Sequence, residues 1–325
     1  MKQAAPACVI VPVHNGASTL SACLAALRPQ GAVIVVDDRS TDDSARLARD
    51  AGADVIAVPH GRRGAGAARN VGVDASEAEI LVFVDADVVV RPGAIARLLA
   101  PIRAGACDAA VGVYGETAPG SSPLSRAKNT TIRASHGRSG AQIQWFWTGF
   151  SAIRKSTFVA AGGFDEAAFE GATIEDMELG FRLSQNGVQI RQVFEARATH
   201  LHHFGPVDLV RNDFRKARDW ARILANQPGL SLAHGATGPQ QVLGAACAAT
   251  TLLGAASWWL IPVGPGLMAA GLVGLNYVLR DEVALARAEG GPSQALSHLC
   301  VRAALYPAAV AGAAVGAVGE RLKAA

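Results

Sequence analysis

Residues 80–93, ILVFVDADVVVRPG, combine a predicted strand with a candidate metal site. Five apolar residues, rich in β-branched and aromatic types, predict a buried strand that runs directly into two carboxylates. Asp85 and Asp87 are two positions apart, so they lie on the same side of an extended chain. Each carboxylate raises the pKa of the other unless a cation intervenes, and Mg²⁺ typically takes one or two protein carboxylates. The pattern therefore predicts a divalent metal site, with a solvated strand end as the alternative.

Composition sets the broad class of the protein. Of the 325 residues, 50% are hydrophobic and 18% charged, and long apolar stretches are concentrated after residue 236. This localised shift predicts a membrane region in the C-terminal part. A net charge of +3 without interleaved basic and aromatic residues argues against nucleic acid as a partner. The five cysteines contain no Cys-x-x-Cys pair and are expected to be reduced. The first residues lack the apolar core of a signal peptide, so the first domain is expected in the cytoplasm.

Strands and helices alternate along the first part of the chain. Apolar runs at 8–13, 32–36 and 55–58 predict strands, and helical or glycine-rich segments follow them. This alternation predicts βαβ units, a parallel sheet and a ligand crevice outside the carboxyl ends of the strands. The glycine-rich loop at 61–70 opens a helix, where backbone amides and arginines suit phosphate, with a mobile surface turn as the alternative.

Two later segments complete the predicted domain. Residues 116–139 are polar, contain two prolines and show no clear period, which predicts a long loop. Glu175 and Asp176 begin a predicted helix, whose dipole favours acidic residues in its first turn. Taken alone, this acidic pair needs no function.

Six motifs, in this order, resemble the family 2 glycosyltransferases of the GT-A fold. They are VPVHN at 11–15, VDDRSTD at 36–42, AARNVG at 67–72, DAD at 85–87, GGFDE at 162–166 and EDMELGFRL at 175–183. The resemblance covers residues 8–205. It implies an α/β catalytic domain with a Rossmann-like, mostly parallel central sheet. The implied reaction is inverting transfer of a sugar from a nucleotide-diphosphate sugar with a divalent cation, Mg²⁺ or Mn²⁺.

The resemblance also implies a set of nucleotide-sugar-binding residues: Pro12, His14, Asn15, Asp38, Arg69 and Asp85. The first three correspond to the base pocket, the two aspartates to contacts with base or ribose, and the arginine to a position near the diphosphate. His14 stands where an aromatic residue such as tyrosine is frequent in the family, and Arg39 stands where glycine is common. These departures leave open whether the donor is of the UDP or the GDP type.

Metal and catalytic roles follow from the same resemblance. Asp87 is expected to reach the metal, with Asp85 beside it, and the cluster THLHH at 199–203 offers His200 as a further candidate ligand. A hydrogen-bonded loop is the alternative for that cluster. Asp176 is expected to act as the general base on the acceptor hydroxyl, and Glu175 beside it is the second candidate catalytic residue.

Two other functions compete with sugar transfer. One is a catalytically silent, sugar-nucleotide-binding membrane scaffold, and the other is a nucleotidyltransferase on a related fold. The intact acidic residues argue against the first, and the Glu175-Asp176 helix has no evident use in the second. The chain lacks a Gln-x-x-Arg-Trp motif after Glu175-Asp176, which favours transfer of a single sugar over processive synthesis.

The C-terminal part predicts attachment to a membrane. Residues 208–226 form adjacent apolar and basic stripes at helical spacing, which suits the lipid headgroup layer. Residues 227–238 predict a linker. The apolar segments 242–263, 267–279 and 299–318 predict two or three spans, with a tight reversal at Gly264-Pro265-Gly266.

These patterns together predict three regions: a GT-A domain at 1–205, an interfacial helix with linker at 206–238, and an all-α membrane region at 239–325. The expected location is the cytoplasmic membrane, with several spans and the catalytic domain facing the cytoplasm. The expected partners are a nucleotide-diphosphate sugar, membrane lipid and a lipid-linked or membrane-proximal acceptor.

Overall fold

The computed structural model describes residues 7–28, 32–169, 173–226, 239–259 and 262–324. They divide into two compact units: Met1–Pro119 with Ser135–His202, and Gly120–Ala134 with His203–Ala325. The junction at His202 lies close to the predicted boundary at 205, but residues 120–134, predicted to lie in the first region, belong to the second unit. The predicted linker at 227–238 lies outside the described residues.

The first unit is built on one sheet. Its strands are β1 (Ala7–Val13), β2 (Ala32–Asp37), β3 (Asp54–Ala57), β4 (Ile80–Val84), β5 (Val88–Val90), β6 (Ala109–Thr117), β7 (Gln142–Ile143), β8 (Phe150–Arg154) and β9 (Ile190–His200). The strand order is β3-β2-β1-β4-β8-β6-β9-β5, with β7 paired to β9. Strands β1 to β4 pair in parallel, whereas β8 is antiparallel to β4 and β6. The predicted α/β class is confirmed.

Helices cover this sheet. They are α1 (Ala17–Leu27), α2 (Ser44–Asp50), α3 (Ala65–Ala75), α4 (Ala94–Arg103), the last turns of α5 (Pro123–Arg138), α6 (Lys155–Ala160) and α7 (Glu175–Gln185). Every residue of β4 is buried, and Phe83 packs against three other phenylalanine rings. A Cβ atom at Gly72 of α3 would lie 2.5 Å from Ile10 Cγ2 and 3.1 Å from Val36 Cγ2. Only glycine therefore allows α3 to pack so closely on β1 and β2.

The predicted loop at 116–139 is wrong, because α5 occupies most of it. Ser122 begins this helix: its carbonyl accepts from Arg126 N at 2.8 Å, its hydroxyl accepts from Ser125 N at 3.2 Å, and Pro123 follows as the first helical residue. The polar side chains of α5, which obscure the helical period in the sequence, bind partners inside the second unit. Lys128 pairs there with Asp213 of α8 (Pro206–Asn226) at 2.5 Å.

The second unit continues with α9 (Pro239–Ala256), α10 (Gly264–Val278) and α11 (Arg280–Ala324). The predicted reversal at Gly264-Pro265-Gly266 is wrong, because these residues form the first turn of α10. Proline at the start of a helix loses no hydrogen bond there, so this sequence begins a helix as readily as it forms a turn. Helix α11 is broken at Gly290 and Gly291, which have non-helical dihedral angles.

One helix among the described residues, Arg280–Glu320, is long and apolar enough to cross a membrane by length and composition. Large apolar side chains of α9 to α11 are also exposed, among them Val242, Leu253, Val273 and Val310, and Trp259 beyond α9 is 90% exposed. The two or three spans predicted from the sequence stay a prediction.

Candidate active site

The candidate site forms where strands of the first unit end. Strands β1, β2 and β4 are parallel, so the residues that follow them lie at one edge of the sheet. Asp38 N donates to the carbonyl of Val13 at 2.8 Å, and Asp85 N donates to the carbonyl of Gly149 at 3.2 Å. The second bond connects the end of β4 with the segment that precedes the antiparallel strand β8.

Asp87 lies beside two histidines because of the pairing of β5 with β9. Val88 is opposite His200 in this pairing, and the amide of Leu201 donates to the carbonyl of Asp87 at 2.7 Å. Asp87 Oδ2 is 3.0 Å from His202 Nδ1 and 3.5 Å from His200 Nε2. One ligand atom of each of the three side chains lies within 4.8 Å of the others. A carboxylate and two imidazoles at this spacing can hold a divalent cation.

The electrostatics of this cluster favour an ionised carboxylate. Burial raises the pKa of Asp87, but hydrogen bonds from His200 and His202, together with their charges, lower it below its usual range. Asp85, the second predicted carboxylate, is ion-paired with Arg69 at 2.7 Å between Oδ1 and Nη2. Its role as a metal ligand stays a prediction.

Arg69 lies in the interior of the first unit. It is 3% exposed, and its second nitrogen, Nη1, lies 3.0 Å from Oε1 of Glu175, which is itself 4% exposed. Burial lowers the pKa of Arg69, but the carboxylates of Asp85 and Glu175 outweigh it and raise that pKa. Glu175 Oε2 also accepts from Thr173 N at 2.8 Å. Arg69 therefore joins the end of β4 to the start of α7, and Glu175 is the partner that α7 supplies.

Asp176 is held at the same edge by the segment before β8. Its Oδ2 accepts from the amide of Thr148 at 3.2 Å and from the hydroxyl of Thr148 at 3.4 Å. Phe150, two residues later, is opposite Val84 at the end of β4. The pairing of β4 with β8 thus brings the first turn of α7 towards Asp85.

The residues expected at the nucleotide base form a bonded network. His14 Nδ1 is 2.7 Å from the carbonyl of Asp38 and therefore carries the proton. Asn15 Oδ1 accepts from Thr41 N at 2.8 Å, and Asp38 Oδ2 accepts from Gly64 N at 2.6 Å. The loops after β1 and β2 and the glycine-rich loop before α3 are held together in this way.

Arg39 and Pro12 complete this part of the site. Arg39 has a φ of 56°, in the left-handed region that favours glycine, which explains why glycine is common at this position. Its Nη2 lies 3.0 Å from Asp38 Oδ1 and donates to the carbonyl of Arg62 at 2.7 Å. Pro12 lies opposite Val36 in the pairing of β1 with β2.

Residues 8–162 match the family model for glycosyl transferase family 2. The chain carries a glycosyltransferase family 2 domain. A pre-mycofactocin glycosyltransferase of Mycobacterium tuberculosis is 29% identical over 280 residues, which is 80% of this chain and 53% of the relative. An O-antigen chain rhamnosyltransferase of Salmonella anatum is 26% identical over 71% of this chain and 76% of the relative. This chain therefore spans about half the length of the first relative.

A solved structure agrees with the fold. The mannosyltransferase of Pyrobaculum calidifontis, in complex with GDP-Man and Mn²⁺, matches with a TM-score of 0.57 and 16% identity. The match covers 97% of this chain and 88% of that protein. It confirms the GT-A fold predicted for the family 2 domain.

Tyr114 is a residue of the family 2 domain that sequence reasoning missed. Its ring stacks on that of His200, with ring centroids 4.9 Å apart and an angle of 11° between the planes. The His200 ring also stacks on that of His202, with centroids 5.8 Å apart. Burial and the charges of Asp87, Asp85 and Asp176 all raise the pKa of Tyr114. The sequence shows only a tyrosine in an apolar strand. Tyr114 lies opposite Ala198 of β9, two residues before His200, and this pairing brings its ring onto the histidine.

Proposed function

We propose that this protein transfers a single sugar from a nucleotide-diphosphate sugar to a lipid-linked or membrane-proximal acceptor, with inversion at the anomeric carbon. The observation that carries the proposal is that the Asp87, His200 and His202 cluster and Asp176 are connected through the segment before β8. Thr148 donates to Asp176, and the carbonyl of Gly149 accepts from the amide of Asp85, two residues before Asp87.

A divalent cation would be held by Asp87, His200 and His202. When bound, it would compensate the negative charge that develops on the departing nucleoside diphosphate. Mg²⁺ prefers an octahedral shell of oxygen ligands, so two imidazole nitrogens favour Mn²⁺. The related mannosyltransferase structure, which contains Mn²⁺ and GDP-Man, supports this choice.

The nucleotide would lie against the bonded loops after β1 and β2. We assign the base pocket to Pro12, His14 and Asn15. The Asn15 amide lies 3.3 Å from His14 Nε2, and the bond from Nδ1 to Asp38 fixes the ring, so the imidazole has one orientation. Arg69, which is buried, would act on the donor through Asp85, because it fixes the carboxylate that follows β4.

Asp176 would accept the proton of the attacking hydroxyl. Two hydrogen bonds from Thr148 fix the orientation of the carboxylate, whose ionised form is the one that acts as a base. General base catalysis contributes about 10²- to 10⁴-fold to a rate in typical cases. Attack on the face opposite the diphosphate gives inversion. Glu175, paired with Arg69, would hold the start of α7 in place.

The second unit would anchor the protein in the membrane, with α8 at the cytoplasmic face. Its exposed apolar side chains and the basic residues of α8 suit contact with lipid. We propose that α9, α10 and α11 supply two or three spans and that the family 2 domain remains in the cytoplasm, where nucleotide sugars are made available to it.

The test is sugar transfer by the full-length chain purified in detergent. A panel of UDP- and GDP-sugars with Mn²⁺ is scored by mass spectrometry for release of nucleoside diphosphate and for glycosylated short-chain lipid phosphates. Asp176→Asn should lose turnover and keep donor binding, and Asp74→Asn, an exposed residue of α3, is the matched control. Binding of a donor without turnover of any sugar in the wild type would favour the scaffold function instead.

A further inference from the structure

The second unit contains a cavity of about 330 Å³ that shares no residue with the candidate active site. It is formed by the first turns of α5 and by the two sides of the break in α11. Its polar lining consists mainly of Arg126, Thr130, Ser293, Gln294, Ser297 and His298. No acidic side chain lines this cavity within the described part of the chain. Its lining therefore favours an anion.

The break in α11 supplies the first feature of an anion site. Gly290 has φ −147° and ψ 20°, and Gly291 has φ 72° and ψ −168°, so neither continues the helix. A new helix begins at Pro292. The first amides of a helix have no carbonyl partner within it, and they carry a partial positive charge. Ser293 and Gln294, in this first turn, line the cavity.

His298 is the second and independent feature. It is 2% exposed and lines the cavity, and its Nδ1 atom has no hydrogen-bond partner among the residues that the structure describes. Its other nitrogen, Nε2, lies 3.0 Å from Oε2 of Glu282. Nε2 therefore carries a proton, and Nδ1 is the ring atom that remains for a ligand in the cavity. Nδ1 can donate to a phosphate oxygen when the ring is doubly protonated, and it can accept from a phosphate hydroxyl when the ring is neutral.

Arg126 adds a fixed positive charge. Its Nε donates to the carbonyl of Ser121 at 2.9 Å, and its Nη1 donates to Oε1 of Gln294 at 3.3 Å. The second bond joins the guanidinium to the first turn of the new helix. An arginine held in this way loses little side-chain freedom when it binds an oxyanion, and its planar group matches two phosphate oxygens.

We propose that this cavity binds a phosphate-bearing ligand through Arg126, His298 and the helix that begins at Pro292. Its volume is at the lower end of the range of about 300–1,000 Å³ for small-molecule pockets, so it can hold a phosphate group together with a small substituent. The phosphate can belong to a free monoester or to a lipid headgroup, because both present the same oxyanion to these donors.

The experiment measures binding to the full-length chain without nucleotide sugar, so that its result is independent of transferase activity. Glycerol 3-phosphate is titrated by calorimetry into protein in detergent. In a second arm, protein in nanodiscs is compared between phosphatidylcholine alone and phosphatidylcholine with phosphatidic acid, with thermal stability as the readout. Arg126→Gln and His298→Gln should each weaken binding by at least about tenfold, because the first removes a charge-assisted hydrogen bond and the second removes the ring nitrogen that faces the ligand. The amide of His298→Gln can still donate to Glu282, which protects the fold.

Two further variants keep the test decisive. Arg280→Gln removes an exposed charge of α11 outside the cavity and should bind as the wild type does. Ser297→Leu fills the cavity without removing a charge, and it should abolish binding even if the other cavity variants fail to fold. Binding in the first arm identifies a free monoester and binding only in the second identifies a lipid headgroup. No binding in either arm, or equal binding by wild type and Ser297→Leu, overturns the proposal.

Discussion

Replacing Arg69 by glutamine should destabilise the first unit by about 3–5 kcal/mol, because it leaves a buried carboxylate without its cation. Glu175 accounts for most of this loss. Its side chain is 5% exposed, whereas that of Asp85 is 33% exposed and can be partly compensated by water. The pairing of the two buried groups predicts that Glu175→Gln, added to Arg69→Gln, restores part of the stability, since a neutral amide is less costly to bury than an unpaired charge.

The assay is urea unfolding followed by tryptophan fluorescence for the wild type, the two single variants and the double variant. The coupling energy should be about 2 kcal/mol or more, because interacting buried groups are not additive. Arg97→Gln, at an exposed position of α4, is the matched control and should change the free energy of unfolding by no more than about 0.5 kcal/mol. Additive losses at Arg69 and Glu175, or a loss at Arg69 no larger than that of the control, would refute this account of the buried pair.

Three further predictions follow from individual residues. Asp176→Asn should lower kcat by at least tenfold with little change in donor affinity, since the amide is nearly isosteric but cannot accept the proton, and steady-state kinetics measure both quantities. Burial lowers the pKa of His136 from 6.5 to about 4, so the unfolded chain binds more protons between these values. The free energy of unfolding should therefore fall by about 3 kcal/mol as the pH decreases from about 6.5 to about 4, and His136→Asn should lose this dependence in pH-dependent denaturation. Single cysteines at Gly264, Ala288 and Ala324, in a cysteine-free background, should show Gly264 outside and Ala288 inside when intact cells are labelled with an impermeant maleimide. Labelling at Ala288 but not at Gly264 would contradict the proposed spans, which place the start of α10 outside, and Ala324 reports whether the chain crosses twice or three times.

Strands β1 to β4 could be predicted from the sequence because their signals are local. The apolar run before Asp85 predicts β4 directly, and the alternation of strands and helices predicts the parallel pairing of β1, β2 and β4. The same reasoning failed for α5. Its polar residues, such as Lys128, are satisfied by partners far along the chain, so the sequence near them resembles a loop.

The parts of the site that depend on long-range pairing could not be predicted. His202 approaches Asp87 only because β5 pairs with the end of β9, which is more than 100 residues away. Tyr114 stacks on His200 for a related reason, since β6 lies beside β9. The burial of Arg69 was equally hidden, because a glycine-rich loop followed by arginines is typical of phosphate sites at the surface.

We propose that Asp87, His200 and His202 hold a divalent cation beside the donor diphosphate. Pulsed electron paramagnetic resonance of Mn²⁺, added to the full-length chain with UDP or GDP, measures the ligands of the ion directly. Modulation from histidine nitrogen should be present in the wild type, weaker in His200→Gln and in His202→Gln, and absent in the double variant, and Asp87→Ala should lower the affinity for Mn²⁺. Nucleotide-dependent Mn²⁺ binding without nitrogen modulation, or with an affinity unchanged by Asp87→Ala, would contradict the claim.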